Sequence, residues 1–193
     1  MGDPLGNAVI QTTADHPGNH RVVTARFRID RQLPAGESHL ALYAALHPHC
    51  HTTAQAILVP DRPGVFHLNV AAFNQFIGGD AAVYPECTSD PLATISPLLA
   101  RDVPLAEGRE YRWTLAARLD ASGTLVMASK VIAGDGAILA SGRYTIAPEG
   151  IARWFGVAGK AARFGFGAQF SRQPSPSGGE PVLSLLAIRA VAD

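Results

Sequence analysis

Apolar and polar residues alternate along much of the chain, most legibly between Glu110 and Ile146. Tyr111, Trp113, Leu115, Ala117 and Leu119 hold the odd positions, while Arg112, Thr114, Arg118 and Asp120 fill most of the even ones. Successive side chains of a strand point to opposite faces, so a period of two predicts a half-buried strand. Asp120-Ala-Ser-Gly123 then turns the chain, residues 124–132 run back, Ala133-Gly-Asp-Gly136 turns it again, and residues 137–146 follow. Alternation broken by glycine-bearing turns predicts two successive antiparallel hairpins.

The same period recurs on both sides. In residues 21–29, Val23, Ala25, Phe27 and Ile29 face one way and Thr24, Arg26 and Arg28 the other. Residues 39–46 present Leu40, Leu42, Ala44 and Leu46. Residues 54–59 and 65–70 flank Pro60-Asp-Arg-Pro-Gly64, where proline presets φ and glycine takes the left-handed position. Residues 163–170 alternate through Phe164, Phe166, Ala168 and Phe170; Gly165 and Gly167 on the other face permit close approach by a backbone or a ligand. A short strand is expected at 8–13, in a lead-in rich in Gly, Pro, Asn and His, and a long, strongly apolar closing strand at 181–191.

Two stretches read differently. Residues 71–104 are interrupted by Pro85, Pro91, Pro97, Pro104 and Gly78-Gly79-Asp80, which predicts a surface excursion with at most short strands. In residues 148–162, Ile151, Trp154, Phe155 and Ala158 fall at helix spacing, which predicts a short helix or a wide loop. Ten or more strands with no repeat and no linker predict an all-β, antiparallel two-sheet sandwich, with residues 1–193 forming one domain and at most one short helix. A lipocalin-like barrel is the alternative.

Composition narrows the partners. Of 193 residues, 47% are hydrophobic and 17% charged, enough to bury a sizeable core. Sixteen basic residues balance sixteen acidic ones, so no net field favours nucleic acid. No apolar run approaches the roughly 20 residues that cross a bilayer, so no membrane insertion is expected. Met1-Gly-Asp-Pro-Leu-Gly lacks the form of a signal peptide. The chain is therefore expected to stay inside, to have had a signal removed, or to leave the cell on a larger particle. Cys50 and Cys87 could pair or stay as free thiols.

The order of these features resembles the concanavalin A-like, laminin G-like jelly-roll sandwich. The carrying residues are 21–29, Leu40-Ala-Leu-Tyr43, the central run from Glu107 to Leu125, Phe164-Gly-Phe-Gly167 and the closing residues 182–191. The resemblance implies two curved antiparallel sheets, and binding of glycans or proteins through the loops and the concave face. It also implies a surface setting, extracellular or on a particle.

Retaining glycoside hydrolases of this fold carry Glu-x-Asp-x-x-Glu on one strand, setting two carboxylates about 5 Å apart. None of Glu37, Glu86, Glu107, Glu110, Glu149 and Glu180 sits in that motif, so a non-catalytic module is expected. His47-Pro-His-Cys-His51 is the densest group of zinc-type ligands but has no second pair beside it, so no metal site is expected. Calcium is the one metal that lectin relatives suggest. Asp80, Glu86 and Asp90 could supply oxygens but lack the spacing of a calcium loop, and no cofactor is expected. For sugar recognition an aromatic ring beside polar groups is wanted. Trp154 with Arg153, and Tyr84, Asn74 and Asp80 in the long excursion, are the candidate carbohydrate-binding residues; Trp154 could equally plug the core beside Phe155. The expected function is a lectin-like module for a surface glycan. The alternative is a structural or assembly subunit of a spike, fibre or virion-like particle, in contact with other subunits or with itself.

Overall fold

The computed structural model describes residues 6–11, 18–32, 38–46, 51–75, 96–147, 163–170 and 183–192. They form β1 (Gly6–Gln11), β2 (His20–Ile29), β3 (Ser38–Leu46), β4 (His51–Arg62), β5 (Val65–Gln75), β6 (Leu98–Pro104), β7 (Glu110–Leu119), β8 (Leu125–Ala133), β9 (Ile138–Ile146), β10 (Arg163–Phe170) and β11 (Leu183–Ala192). One sheet has the order β1-β10-β3-β4-β5-β6 and the other β11-β2-β7-β8-β9. Every neighbouring pair is antiparallel. This is the two-sheet antiparallel sandwich that the alternation and the concanavalin A-like resemblance implied. The segment with helix spacing, 148–162, lies outside the described residues.

The inner faces are the predicted ones. Val23, Ala25, Phe27 and Ile29 of β2 and Trp113, Leu115 and Ala117 of β7 meet Leu40, Leu42, Ala56, Leu58, Leu68 and Phe166 from the other sheet in one core. Aromatic rings tie the layers together. The Phe27 ring lies 5.7 Å from Tyr111, 6.2 Å from Trp113 and 5.9 Å from Phe166, and Trp113 meets Phe166 edge-on at 87°. Edge-to-face rings at such separations gain beyond their buried area. The Trp113 indole N–H is satisfied inside the core: it donates to Ser129 Oγ at 2.9 Å, and that hydroxyl donates to the Thr114 carbonyl at 3.1 Å. At one end of the core the buried Arg21 donates from Nε to Gly18 O at 3.1 Å and stacks over Phe164. Burial pulls its guanidinium pKa down to about 10.

Turn chemistry sets the hairpin registers. The Asp120 carboxylate accepts the backbone N–H groups of Ser122 and Thr124, each at 2.9 Å, and Gly123 takes φ 81°. Hydrogen bonds led by the Ser122 hydroxyl hold that carboxyl below its usual pKa. Asp135 repeats the device for Ala137 in the second hairpin.

Three departures from the sequence expectation have local causes. The run predicted at 54–59 continues as β4 through the buried Pro60, accommodated by a register shift between Pro60 and Arg62. The excursion at 71–104 ends in a seven-residue strand, β6, bent by two register shifts against β5 and by Asp102 at φ 53°, whose carboxylate meets Arg62 at 2.8 Å. β11 is not a core strand. Among the described residues it pairs only with β2, its phase slips between Leu185 and Ala187, and Leu186, Ile188 and Val191 are left 39%, 37% and 49% exposed.

The sandwich is closed at one side where β9 approaches β6. A Cβ on Gly142 would lie 2.7 Å from Leu99 Cβ and 3.3 Å from Leu99 Cα. Gly142→Ala is therefore expected to push β6 away and destabilise the protein by about 1–3 kcal/mol, the usual range for overpacking. Denaturant titration checks this; a variant as stable as the parent would show that the contact yields freely.

Candidate functional site

The outer face of the six-stranded sheet differs from a solvated face in what it exposes and what it buries. Its register sets up successive rows. Gly165 pairs with Tyr43, Tyr43 with Gln55, and Gln55 with Ala71. In the next row Gly167 pairs with Ala41, Ala41 with Ile57, and Ile57 with Asn69. Further along, Gln169 pairs with His39, and Val59 with His67. Because β3, β4 and β5 send their other residues into the core, these positions all belong to one face. The glycines and alanines form a low floor, and the long polar side chains stand around it.

The floor is sheltered: Ala41, Gln55 and Ala71 are no more than 3% exposed. Yet three buried polar atoms here, Gln55 Oε1, His67 Nδ1 and Asn69 Oδ1, have no hydrogen-bond partner. Buried polar groups nearly always find partners, and an orphan costs about 1–3 kcal/mol. The remaining valences are partly used. His67 Nε2 lies 3.4 Å from Asp61 Oδ1, and the Asn69 amide donates to the carbonyl and hydroxyl oxygens of Ser96, each at 3.5 Å. Gln55 and Asn69 sit diagonally across adjacent strands, about 7–8 Å apart in backbone terms, and His67 is the next outward residue along β5.

Burial also tunes the titrating groups. It pushes the His39 imidazole below its ordinary pKa, leaving it neutral at pH 7, and pushes the Tyr43 phenol up, so that its O–H is retained. The face thus offers two carbonyl acceptors, imidazoles and a phenolic donor. That is the complement of a polyhydroxylated ligand, each of whose hydroxyls both donates and accepts.

Of the residues proposed from sequence, only Asn74 lies among the described ones. Trp154, Arg153, Tyr84 and Asp80 lie outside the described residues, as do Cys50, Cys87, Glu86, Asp90, His47 and His49. Asn74 is described only as a strand position: it pairs with Thr52, in phase with Val70 and Ala72 and out of phase with Asn69 and Ala71. Its place in the alternation separates it from the polar row. The alternation also missed Tyr43, Gln55, His67 and Asn69, since it identifies an outward face without saying which outward residues share a row. The one usable signal was the pair Gly165 and Gly167, whose close-approach face is this one. Among the described residues no group of His, Cys, Asp and Glu could hold a metal ion, and no helix is long and apolar enough to cross a membrane.

No protein-family model matches the chain, and no curated protein matches its sequence. Solved structures do resemble it. A marine alginate lyase from Aplysia kurodai is 9% identical, with 98% of this chain covering 87% of that one at a TM-score of 0.49. A legume lectin-like domain from Entamoeba histolytica is likewise 9% identical, with 99% covering 81% at a TM-score of 0.49. Tailspike protein 2 of Escherichia coli O157:H7 bacteriophage CAB120 is 12% identical over 82% of this chain, at a TM-score of 0.46. The likeness is one of fold. This chain spans 18% of that tailspike's length.

The expectation of a non-catalytic module is corrected at this point. Structures with this architecture include a lyase as well as a lectin-like domain. The missing Glu-x-Asp-x-x-Glu pair removes one hydrolytic route and says nothing of others.

Proposed function

We propose that the outer face of the six-stranded sheet binds a polysaccharide, laid over Gly165, Gly167, Ala41 and Ala71 and held by Tyr43, Gln55, Asn69 and His67. The supporting observation is the set of three orphaned polar atoms on that face, Gln55 Oε1, His67 Nδ1 and Asn69 Oδ1; they are buried in the free protein, and a sugar hydroxyl would satisfy each of them as the face opens to admit the ligand. We take residues 1–193 as one domain, because strands from both ends of the chain contribute to the two sheets. We place it at an extracellular or particle surface, where polysaccharide is met. A glycan array followed by titration of the selected oligosaccharide tests the reading. Parent protein is expected to bind and Gln55→Met to lose binding; equal affinities would overturn it.

A second reading is favoured by the pairing of Tyr43 with Gln55. A phenol kept protonated by burial, beside an amide, can give its proton to the departing glycosidic oxygen while water adds at the anomeric carbon and returns a proton to the phenolate, so that one glycosidic bond and one water become two hydroxyl groups. On this reading the bound glycan is cleaved. Tyr43→Phe is then expected to abolish release of reducing ends while retaining binding. Undiminished release in the variant, or none from the parent across a polysaccharide panel, would rule the reading out.

A further inference from the structure

The chain's formal charge is zero, but the sandwich does not distribute it evenly. Outward strand positions of the five-stranded sheet carry Arg26, Arg28, Arg112, Arg118, Lys130, Arg143 and Arg189, seven of the sixteen basic residues. Among the described residues the only carboxylate at such a position is Glu110. It pairs with Arg26 at 3.1 Å, and Arg28 pairs with Asp30 at the strand end. No carboxylate among the described residues pairs with Arg112, Lys130, Arg143 or Arg189.

Their arrangement is regular. Arg189, Thr24, Thr114 and Lys130 follow one another across β11, β2, β7 and β8, and the two threonine hydroxyls meet at 3.1 Å. In the row beside them Arg26 stands directly opposite Arg112. Like charges facing each other across strands are unfavourable. A cleft of about 270 Å³ opens at this pair, bounded by Arg26, Arg112, Glu110, Ile132 and the turn glycines Gly134 and Gly136. Arg143 carries the positive strip onward to β9, diagonal to Lys130.

The geometry points to a second binding surface on this sheet, for an acidic polysaccharide bearing carboxylate or sulfate groups. Arg26 and Arg112 stand on adjacent strands about 4.8 Å apart, a spacing comparable to one sugar of an extended chain, while Arg189 and Lys130 lie three strand spacings apart, roughly 14 Å, with two threonine hydroxyls between them. Arginine forks match planar carboxylates and sulfates. Nucleic acid fits less well. No described outward residue of this sheet is Phe, Tyr or Trp, so single strands find no extended stacking platform, and a sheet face cannot enter a duplex groove. This surface lies on the opposite side of the sandwich from the glycan face proposed above.

The test titrates the full chain with a polyuronate oligosaccharide, a sulfated glycan, a neutral glucan, and single-stranded and duplex DNA of matched charge, at low and physiological salt. Binding of one or both acidic glycans, weakening with salt, and none of the neutral glucan to this face, is expected. Arg112→Glu with Lys130→Glu is expected to lower that affinity about tenfold, with Tm unchanged because both side chains are exposed. Gln55→Met is expected to leave the salt-sensitive component intact, which separates this surface from the other. Arg112→Gln provides a milder substitution if the charge reversals perturb folding. Tighter binding of DNA than of either acidic glycan would overturn the assignment of partner. Absence of binding at low salt, or unchanged affinity in the variants, would reduce the strip to a solvated face.

Discussion

Trp113→Ala is expected to lower stability by about 3–5 kcal/mol, the range for removing a buried large aromatic. The indole is fully buried and touches aromatic rings from both sheets, Phe27 on its own and Phe166 on the other. Its loss opens a cavity where the layers are held together, and β-sheet backbones cannot collapse readily into it. The Ser129 hydroxyl also loses the indole donor, although its bond to the Thr114 carbonyl remains. Against a typical total of about 5–15 kcal/mol, this is a large fraction of the folding free energy. Denaturant unfolding followed by far-ultraviolet circular dichroism measures it. Ser129→Ala provides the partner measurement: it leaves the indole N–H buried without an acceptor and is expected to cost about 1–3 kcal/mol. A Trp113→Ala loss below about 1 kcal/mol would mean that the two sheets do not share the interior assigned to them.

Gln55→Met is expected to move stability and binding in opposite directions. Gln55 is 3% exposed and its carbonyl oxygen has no partner, so the folded protein carries a desolvated acceptor. Methionine has similar length and removes that group, so the variant is expected to gain roughly 1 kcal/mol, at the low end of the penalty for a buried orphan. The same change deletes an acceptor from the proposed glycan face, and affinity is expected to fall by about tenfold or more, the equivalent of one good hydrogen bond. A residue kept for packing alone would show no such trade. Loss of stability with intact binding would therefore remove Gln55 from the site. Stabilisation with lost binding would mark it as a position where function is held at the expense of folding.

The distribution of surface charge follows the same logic as the site. Net charge is a sum over the chain, and it cannot register that β2, β7, β8, β9 and β11 each place basic residues in the same outward phase. Arg26 and Arg112 are 86 positions apart in sequence, a difference of 112 − 26, and become direct cross-strand neighbours only through register. The same holds for Tyr43 and Gln55, which belong to strands joined through a segment rich in histidine and proline.

What the chain determined by itself was local. Alternation in Val23–Ala25–Phe27–Ile29 and Tyr111–Trp113–Leu115–Ala117 assigned the inner faces, because the strand period is a property of backbone geometry. Asp120 with Gly123, and Asp135 with Gly136, placed the hairpin turns for a reason equally local. Only the tertiary structure decided which strand became an edge, and so why apolar β11 shows Leu186, Ile188 and Val191 to solvent. It alone set Gly142 against Leu99, and it alone gathered Tyr43, Gln55, His67 and Asn69 on one side and the row of basic residues on the other. The period of two tells each side chain in or out; which outward residues become neighbours is settled by strand order and register, and those are set by contacts between residues far apart in the chain.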